Sequence, residues 1–409
     1  MMIGKSEKEI RKIVDNWADA YFKGEIFGFG LSDEMGFATF FDDDMGNTDA
    51  LPESVEDLHG VGYKADTHRA GQRVGRGFRV SAAFDNNPLI QGTMQRGLNV
   101  LPPNRIPEMG KIKIAVFPRR YYAIKKQLES YGLREYEDFL YYNFFVAFYN
   151  YFVQNKVLIW KASLCVTTRC TLKCKDCNMF MPFYKEPADI PYDILSSDLD
   201  MLFSRVDYVP WCGILGGEPL LYGELLKYLR RIKEYSHRMG EFLIDTNGSI
   251  IPDVDVFECA REMGNLRFMI NNYNICGKYC ETVNELVGKV KEYGISYTLR
   301  NYDWSEYRRK CAISDAQELK DHYIRCNQPF TSFWNNRFYT CQLPWSAAQC
   351  GIGFDDSEDY LDFSDPSVTG LDIVKAGLGH LPRGYTSNCA MCNGCDPELY
   401  EKIPKAAQL

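Results

Sequence analysis

The sequence predicts an α/β protein of more than one domain, and three observations lead to this prediction. The chain has 409 residues, which is more than one modest hydrophobic core organises. From residue 157 to residue 300, strand-like and helical runs alternate, as they do in proteins built around a parallel sheet. The first 150 residues contain a shorter succession of strands and helices, which indicates a separate and smaller α/β domain.

The composition is that of a soluble globular protein, with 45% hydrophobic and 25% charged residues. A net charge of −8 does not favour a nucleic-acid partner. The first residues, MMIGKSEKEIRKIVDNW, contain no apolar signal core, and no apolar run reaches the length of a membrane span. We therefore expect a cytoplasmic protein without a membrane partner. Fifteen cysteines in that compartment indicate metal binding rather than disulfides.

In the first 150 residues, the hydrophobic pattern predicts two helices and two strands, followed by an aromatic segment. The helices are residues 1–22 and Tyr121–Tyr131, and the strands are Phe78–Phe84 and Lys111–Phe117. The aromatic segment, Tyr136–Val153, is predicted to be the helix that joins this domain to the next.

Two glycine pairs in this region, Gly28 with Gly30 and Gly60 with Gly62, are candidates for a phosphate-binding turn, with Asp85 reaching a ribose. Neither pair matches the G-x-G-x-x-G pattern, so we favour ordinary tight turns. The order of the DNNP sequence, a KIAV strand and an amphipathic helix resembles the small Rossmann-like domains attached to bacterial sugar- and polysaccharide-modifying proteins.

From residue 157 the alternation predicts right-handed βαβ units and a parallel sheet that curls towards a barrel. The predicted strands are Val157–Thr168, Tyr208–Leu215, Glu241–Thr246, Leu266–Asn271 and Ile295–Arg300. The predicted helices are Ile194–Phe203, Tyr222–Met239, Val254–Met263 and Glu281–Tyr293. Short polar motifs follow the first three strands, and the carboxyl ends of parallel strands share one edge. We therefore expect these motifs to face one mouth.

The first motif contains Cys170, Cys174 and Cys177 in a C-x3-C-x2-C spacing. Three thiolates on a short loop can hold three irons of a cubane cluster and leave the fourth iron without a protein ligand. That iron can bind a small molecule and transfer an electron to it. Zinc is the alternative, although a structural zinc site needs four ligands and no histidine lies near this triplet.

This cysteine loop, the GGEP turn after the second strand and the TNG turn after the third resemble the radical S-adenosylmethionine superfamily over residues 157–302. The resemblance implies a partial (β/α)6 TIM-type barrel and a 4Fe–4S cluster on the three cysteines. It also implies that S-adenosyl-L-methionine binds the open iron and is cleaved to a 5′-deoxyadenosyl radical, which abstracts hydrogen from a substrate. The cofactor-binding residues that it implies are Gly216, Gly217, Glu218, Pro219, Asn247 and Arg300.

The residue types suit these roles, and each also has a structural alternative. A glycine pair lets the backbone approach the methionine ammonium, and Glu218 places a carboxylate beside it. Asn247 can reach the ribose or the carboxylate of the cofactor, or can simply be a turn residue. Arg300 can pair with the cofactor carboxylate or with an acidic side chain of the protein.

A second cysteine set lies near the carboxyl terminus, where Cys326 and Cys341 flank a hairpin predicted around Asn335-Asn336. Together with Cys389, Cys392 and Cys395, they resemble the twitch/SPASM-like auxiliary 4Fe–4S cluster domain, with Cys326, Cys341, Cys389 and Cys392 as ligands. Cys350 or Cys395 can replace one of these four, and zinc remains an alternative. The other cysteines are predicted to be buried bystanders: Cys165, Cys212, Cys259, Cys276, Cys280 and Cys311.

The predicted domains are 1–150, a Rossmann-like domain; 157–305, a radical S-adenosylmethionine partial barrel; and 306–409, an auxiliary-cluster domain. The predicted function is hydrogen abstraction from a carbohydrate or sugar-nucleotide substrate, leading to dehydrogenation or epimerisation. A ribosomal-peptide maturase is the alternative enzyme, and an iron–sulfur electron carrier or sensor is the non-catalytic alternative.

The electron donor would be a protein such as flavodoxin or ferredoxin, and Lys173 and Lys175 are either its docking surface or solvated charges. The sequence does not identify the general base that an alcohol oxidation would need. Its candidates at strand ends are Glu218, Asp245, Tyr302 and Asp303.

Overall fold

The computed structural model describes residues 5–23, 26–31, 80–95, 98–117, 121–301, 304–308, 311–326, 331–353, 356–394 and 401–409. These residues divide into two compact units, the first ending at Leu158 and the second beginning at Ile159. None of the helices in these ranges is long and apolar enough to cross a membrane. The predicted glycine pair Gly60 and Gly62 lies outside the described residues, as do Tyr302, Asp303 and Cys395.

The first unit is built on a mostly parallel sheet. Its described strands are β1 Ile26–Phe29, β2 Val80–Phe84, β3 Met94–Gln95, β4 Leu98–Leu101, β5 Lys113–Val116 and β6 Phe139–Tyr141. Their order is β3-β4-β2-β1-β5-β6, and only the β3–β4 pair is antiparallel. The helices are α1 Glu7–Lys23, α2 Tyr121–Ser130 and α3 Tyr142–Gln154. Counted along the chain, the parallel strands therefore lie in the order 3-2-1-4-5, which is that of a doubly wound fold.

Within the described residues, the predicted helices and strands of this unit are confirmed, apart from the aromatic segment. The tight turn predicted at Gly28 is wrong, because Gly28 lies inside β1 and pairs with β5. Ile10, Val14 and Trp17 are buried on one face of α1, as helical spacing requires. The prediction of one helix over residues 136–153 is wrong at its start, because Phe139–Tyr141 is a strand that pairs with β5. Tyr136 has a φ of 68°, which a helix does not allow, and the helix begins only at Tyr142.

The second unit contains a larger mixed sheet. Its described strands are β7 Lys161–Thr167, β8 Val209–Gly216, β9 Met239–Thr246, β10 Leu266–Asn271, β11 Ser296–Arg300, β13 Ser332–Trp334, β14 Arg337–Tyr339 and β15 Tyr360–Asp362. A separate pair is formed by β12 Trp304–Ser305 and β16 Lys402–Ile403. The helices are α4 Tyr192–Arg205, α5 Leu225–Lys233, α6 Val254–Met263, α7 Gly277–Glu292, α8 Ala316–Arg325, α9 Leu343–Gln349 and α10 Gly370–Gly377.

Strands β7 to β11 are parallel and lie side by side in chain order, and the predicted helix of each βαβ unit follows its strand. This confirms the predicted parallel arrangement. The sheet continues beyond β7 through β13, β14 and β15. Strand β13 is parallel to β7, and β14 is antiparallel to both of its neighbours, β13 and β15. The carboxyl-terminal hairpin thus extends the same sheet that carries the cysteine loop.

The hairpin turn predicted at Asn335-Asn336 is confirmed. The φ angles of the two residues are 49° and 63°, the left-handed values that a two-residue turn with right-handed strand twist requires. The buried carboxylate of Asp198, on α4, accepts hydrogen bonds from both backbone N–H groups, at 2.9 Å and 2.7 Å. The turn is therefore fixed by an acidic side chain that the sequence places more than a hundred residues earlier.

Candidate cysteine-loop site

The cysteine loop, residues 168–184, begins directly after the buried strand β7. The hydroxyl of Thr167 donates to Asp189 at 2.7 Å and accepts the backbone N–H of Arg169 at 3.1 Å. The guanidinium of Arg169 reaches the same carboxylate at 3.1 Å. These contacts direct the chain away from the sheet, so the three cysteines lie at the carboxyl end of β7.

The three thiols of the loop are close neighbours in a partly apolar setting. Burial raises the pKa of Cys170 to about 12, and the nearby Glu218, Cys177 and Cys174 raise it as well. Burial also raises the pKa of Cys174 to about 11 and that of Cys177. The free thiols therefore hold their protons, and a bound metal must displace them.

Apolar side chains from the hairpin and from α9 enclose the loop. Met179, Met181, Tyr339 and Trp345 form a buried cluster with Cys165, and Cys170 and Cys177 pack against it. The ring centroids of Trp334 and Trp345 are 5.5 Å apart. The hairpin and α9 thus supply apolar side chains that pack against Cys170 and Cys177, both of which remain half-buried.

The donor set fits a thiolate-ligated cluster, because three thiols share one loop and side-chain amides face two of them. Within the described ranges, no three His, Cys, Asp or Glu side chains converge closely enough to hold a single metal ion. A cluster and a single metal ion thus make different demands on these thiols. Iron and sulfide analysis of the purified protein distinguishes between the two.

The glycine pair after β8 lies directly against the cysteine loop. A Cβ on Gly216 would lie 2.4 Å from the carbonyl oxygen of Thr167, and one on Gly217 would lie 2.2 Å from that of Arg169. The N–H of Gly217 donates to the Thr167 carbonyl at 2.9 Å, and that of Glu218 to the Arg169 carbonyl at 2.8 Å. The pair is therefore required by this close approach, and its predicted contact with a methionine ammonium stays a prediction.

Replacing Gly217 with alanine is expected to destabilise the fold by about 1–3 kcal/mol, because the new methyl group overlaps a backbone carbonyl. Gly277→Ala is the matched control, since nothing lies within 4 Å of a Cβ built at this helix-starting position. Urea unfolding of both variants measures the difference. Equal stabilities of the two variants would show that the loop backbone yields without cost.

Glu218 connects the second motif to the third. Its side chain is fully buried and accepts hydrogen bonds from the N–H of Leu220 at 3.0 Å, the N–H of Asn247 at 2.8 Å and the hydroxyl of Thr246 at 2.8 Å. Burial raises the pKa of this carboxyl group to about 7, against the opposing effect of these donors. Both carboxyl oxygens are thus engaged by the protein, which gives Glu218 a structural task in addition to the predicted cofactor contact.

Asn247 points its amide group at the cysteine loop. The side-chain oxygen accepts the backbone N–H of Ser249 at 2.9 Å, which leaves the nitrogen to donate to Thr171 at 3.1 Å and to the sulfur of Cys170 at 3.6 Å. The amide therefore joins the TNG turn to a candidate metal ligand. A contact with the ribose or carboxylate of a cofactor remains a prediction.

The other predicted residues of this mouth have structural partners. The guanidinium of Arg300 lies 3.5 Å from the carboxylate of Asp245, which also accepts the amide of Asn271 at 2.6 Å. Pro219 starts a single 3-10 turn that Glu218 caps. The ion pair of Arg300 corresponds to the structural alternative that the sequence left open.

The cysteines of the second set lie near Cys341. Burial raises the pKa of the Cys341 thiol, and the neighbouring thiols of Cys389, Cys326 and Cys392 raise it too. The backbone N–H of Gly394 donates to the sulfur of Cys392 at 3.2 Å. Cys326, Cys389 and Cys392 are therefore all neighbours of Cys341.

Cys350 lies at the first loop, not at this second set. Its thiol donates to the carbonyl oxygen of Phe180 at 3.6 Å, and its pKa, raised to about 11 by burial, also responds to Cys177. Among the cysteines predicted to be buried bystanders, Cys276 and Cys311 are exposed and Cys280 is half-buried, so that prediction is wrong for these three. Cys276 directly precedes α7 and Cys311 lies in the segment before α8, so both are in connecting segments outside the sheet.

Three contributors to the site were not found from the sequence: Asp176, Arg308 and Gln408. The carboxylate of Asp176, inside the cysteine loop, pairs with the guanidinium of Arg308. The backbone of Arg308 in turn bridges to that of Cys392. Arg308 thus contacts the cysteine loop through Asp176 and the second cysteine set through Cys392. Local spacing in the sequence does not predict the contact with Asp176, which lies 132 residues away.

No protein-family model and no curated protein matches this chain. It is similar in part to solved structures of native anSMEcpe with bound AdoMet and Cp18Cys peptide, 18% identical over 34% of this chain and 42% of that chain, with a TM-score of 0.27. BtrN in complex with AdoMet and 2-DOIA is 20% identical over 34% of this chain and 56% of that chain, with a TM-score of 0.27. Streptococcus suis SuiB bound to precursor peptide SuiA is 13% identical over 68% and 75%, with a TM-score of 0.32.

The matches with the first two structures span about half of their lengths, 42% and 56%.

Proposed function

We propose that this protein is a radical S-adenosylmethionine enzyme. Cys170, Cys174 and Cys177 would hold a 4Fe–4S cluster, and S-adenosylmethionine would bind beside the loop at the mouth formed by the GGEP and TNG turns. When bound, such a cluster supplies the electron that cleaves S-adenosylmethionine and starts radical chemistry. The observation that carries the proposal is the loop itself. Cys174 and Cys177 lie near Cys170, and Cys170 packs against Gly217 and faces the amide of Asn247.

The residues of the chain have distinct tasks in this proposal. The apolar cluster of Met179, Met181, Tyr339 and Trp345 packs against Cys170 and Cys177 and supports that side of the loop. The backbone contacts of Gly217 and Glu218 fix the loop to the end of β8. Asn247 holds the sulfur of Cys170, so that the TNG turn and the cysteine loop keep one geometry.

We also propose a second 4Fe–4S cluster on Cys326, Cys341, Cys389 and Cys392. Its support is that Cys326, Cys389 and Cys392 each raise the pKa of the Cys341 thiol. Gly394 also joins two of them, because its N–H donates to the sulfur of Cys392 at 3.2 Å and a Cβ built on it would lie 3.6 Å from that of Cys326. A cluster with four protein ligands has no open iron, so it would accept an electron from a substrate radical rather than bind a cofactor. Such an acceptor suits net oxidation of the substrate.

The proposed substrate is a carbohydrate carried on a nucleotide. Support comes from the first unit, whose parallel strands have the doubly wound order in which ligands bind at the carboxyl ends of the strands. Gly30, with a φ of 89°, and the buried Asp85 lie at the adjacent ends of β1 and β2. A nucleotide bound at these strand ends would meet the backbone of Gly30 and the carboxylate of Asp85, which also accepts the N–H of Asn87 at 2.7 Å.

The test is anaerobic reconstitution of the full chain with iron and sulfide, reduction, and incubation with S-adenosylmethionine. We expect formation of 5′-deoxyadenosine and an increase in its rate when the correct sugar nucleotide is added. Iron content should approach about four irons for each cluster. A protein that binds the cluster but forms no 5′-deoxyadenosine would be an iron–sulfur carrier or sensor instead.

A further inference from the structure

A carboxyl-terminal segment, residues 401–409, lies along the cysteine loop. The N–H of Lys175 donates to the carbonyl of Ala407 at 2.7 Å, and the N–H of Leu409 donates to the carbonyl of Lys173 at 2.9 Å. Gln408 therefore lies directly opposite Cys174, with which it forms an antiparallel β-bridge. The side chain of Gln408 has a fixed position relative to the middle cysteine of the loop.

The orientation of the Gln408 amide follows from its partners. Its oxygen faces the backbone N–H of Lys173 at 2.8 Å, and because an N–H group can only donate, the atom that faces it must be the oxygen. The nitrogen then lies 3.3 Å from the sulfur of Cys174 and 2.6 Å from the carbonyl of Ala406. One N–H is used by that carbonyl, and the other points at the sulfur.

The same arrangement occurs at a second cysteine of the loop. Asn247 also has its oxygen fixed by a backbone N–H and its nitrogen turned to a cysteine sulfur, that of Cys170. Two thiols of the loop, those of Cys170 and Cys174, therefore face a side-chain N–H donor, and for Cys174 that donor comes from a residue 234 positions away.

We propose that Gln408 is a positioning residue for Cys174 that raises the reduction potential of the cluster on the loop. The inference rests on the proposed function, because it needs the cluster. Hydrogen bonds to ligand sulfurs are one of the factors that set the potential of an iron–sulfur cluster. An added electron increases the negative charge on the sulfurs, so an N–H donor stabilises the reduced cluster more than the oxidised one.

The test compares Gln408→Met with Leu409→Ala in the full reconstituted chain. Methionine has a similar length and no N–H donor, whereas Leu409 is exposed and contributes only its backbone to the contact. Anaerobic redox titration, followed by electron paramagnetic resonance, reports the midpoint potential. The signal that changes on addition of S-adenosylmethionine identifies the cluster of the loop and separates it from the second one.

For Gln408→Met, we expect about a tenfold lower ratio of reduced to oxidised cluster at a fixed potential, which is a negative shift of about 59 mV for one electron. Gln408→Glu keeps the acceptor for Lys173 and adds a negative charge, so it should shift the potential further in the same direction. Leu409→Ala should leave it unchanged.

The outcomes separate this inference from the proposed function. A wild-type protein that assembles no cluster on the loop overturns both. An assembled cluster whose potential is the same in wild type and Gln408→Met overturns the role of Gln408 alone. If only Gln408→Glu shifts the potential, the effect is one of charge, and the proposal is overturned. If Gln408→Met loses the cluster and Leu409→Ala keeps it, Gln408 is a structural anchor, and the proposal is overturned as well.

Discussion

Cys174→Ala is expected to reduce the cleavage of S-adenosylmethionine to the background rate, whereas Cys392→Ala should retain it. Cys174 is the middle thiol of the loop, and without it only two protein ligands remain for a cluster that needs three. Cys392 belongs to the second set, which in the proposed function has no part in the first electron transfer. The measurement is 5′-deoxyadenosine formed by the reduced protein with excess S-adenosylmethionine.

Cys212→Ala provides the matched control for these two variants. Cys212 is a fully buried cysteine in the same sheet, in strand β8, and burial raises its pKa to about 12. Its loss should leave cleavage intact, with at most a modest loss of stability. Unchanged cleavage in Cys174→Ala would contradict the assignment of the loop, and loss of cleavage in Cys392→Ala would mean that the two cysteine sets do not act separately.

The sequence predicted the parts of the site that follow strand ends. Cys170, Gly217 and Asn247 stand after three successive strands, and parallel strands bring their carboxyl ends to one edge. Periodicity alone therefore placed the three motifs together, and the hydrogen bond between Asn247 and Cys170 confirms that two of them touch. The hairpin at Asn335-Asn336 was equally predictable, because only a few residue types adopt its backbone angles.

Contacts between distant segments could not be predicted in this way. Gln408 and Arg308 reach the cysteine loop from positions more than a hundred residues away, and their neighbouring residues have no spacing that indicates it. Strand β6 was missed for another reason: its three residues are aromatic and apolar, and so is the helix that follows. A uniform apolar run has no periodicity that separates a short strand from a helix.

The predicted roles and the observed partners differ most at Glu218 and Arg300. Both were candidates for cofactor binding, and both already have protein partners, in the TNG turn and at Asp245. A motif at a strand end predicts which residues lie close together in the fold. It does not predict which of their side chains face a ligand. That distinction depends on the side chains of neighbouring strands, which pattern alone does not supply.

Glu218→Gln is expected to remove a pH dependence of stability that the wild-type protein has between about pH 4.5 and about pH 7. The ordinary pKa of this carboxyl group, 4.5, is raised to about 7 by burial. Because the folded protein holds the proton more tightly, the stabilising contribution is complete below pH 4.5 and is lost as the pH rises through 7. The corresponding free energy is roughly 3 kcal/mol.

Glutamine has the size of a protonated glutamate and does not titrate, so the variant separates Glu218 from every other group. We expect the stability of wild type relative to Glu218→Gln to be greater at pH 5 than at pH 8, measured by urea unfolding at both values. A difference that does not change with pH would mean that the three donors, from Leu220, Thr246 and Asn247, keep the carboxylate ionised despite its burial. The two outcomes also have different consequences for cofactor binding. Only an ionised Glu218, which a pH-independent difference would indicate, can place a full negative charge beside a methionine ammonium.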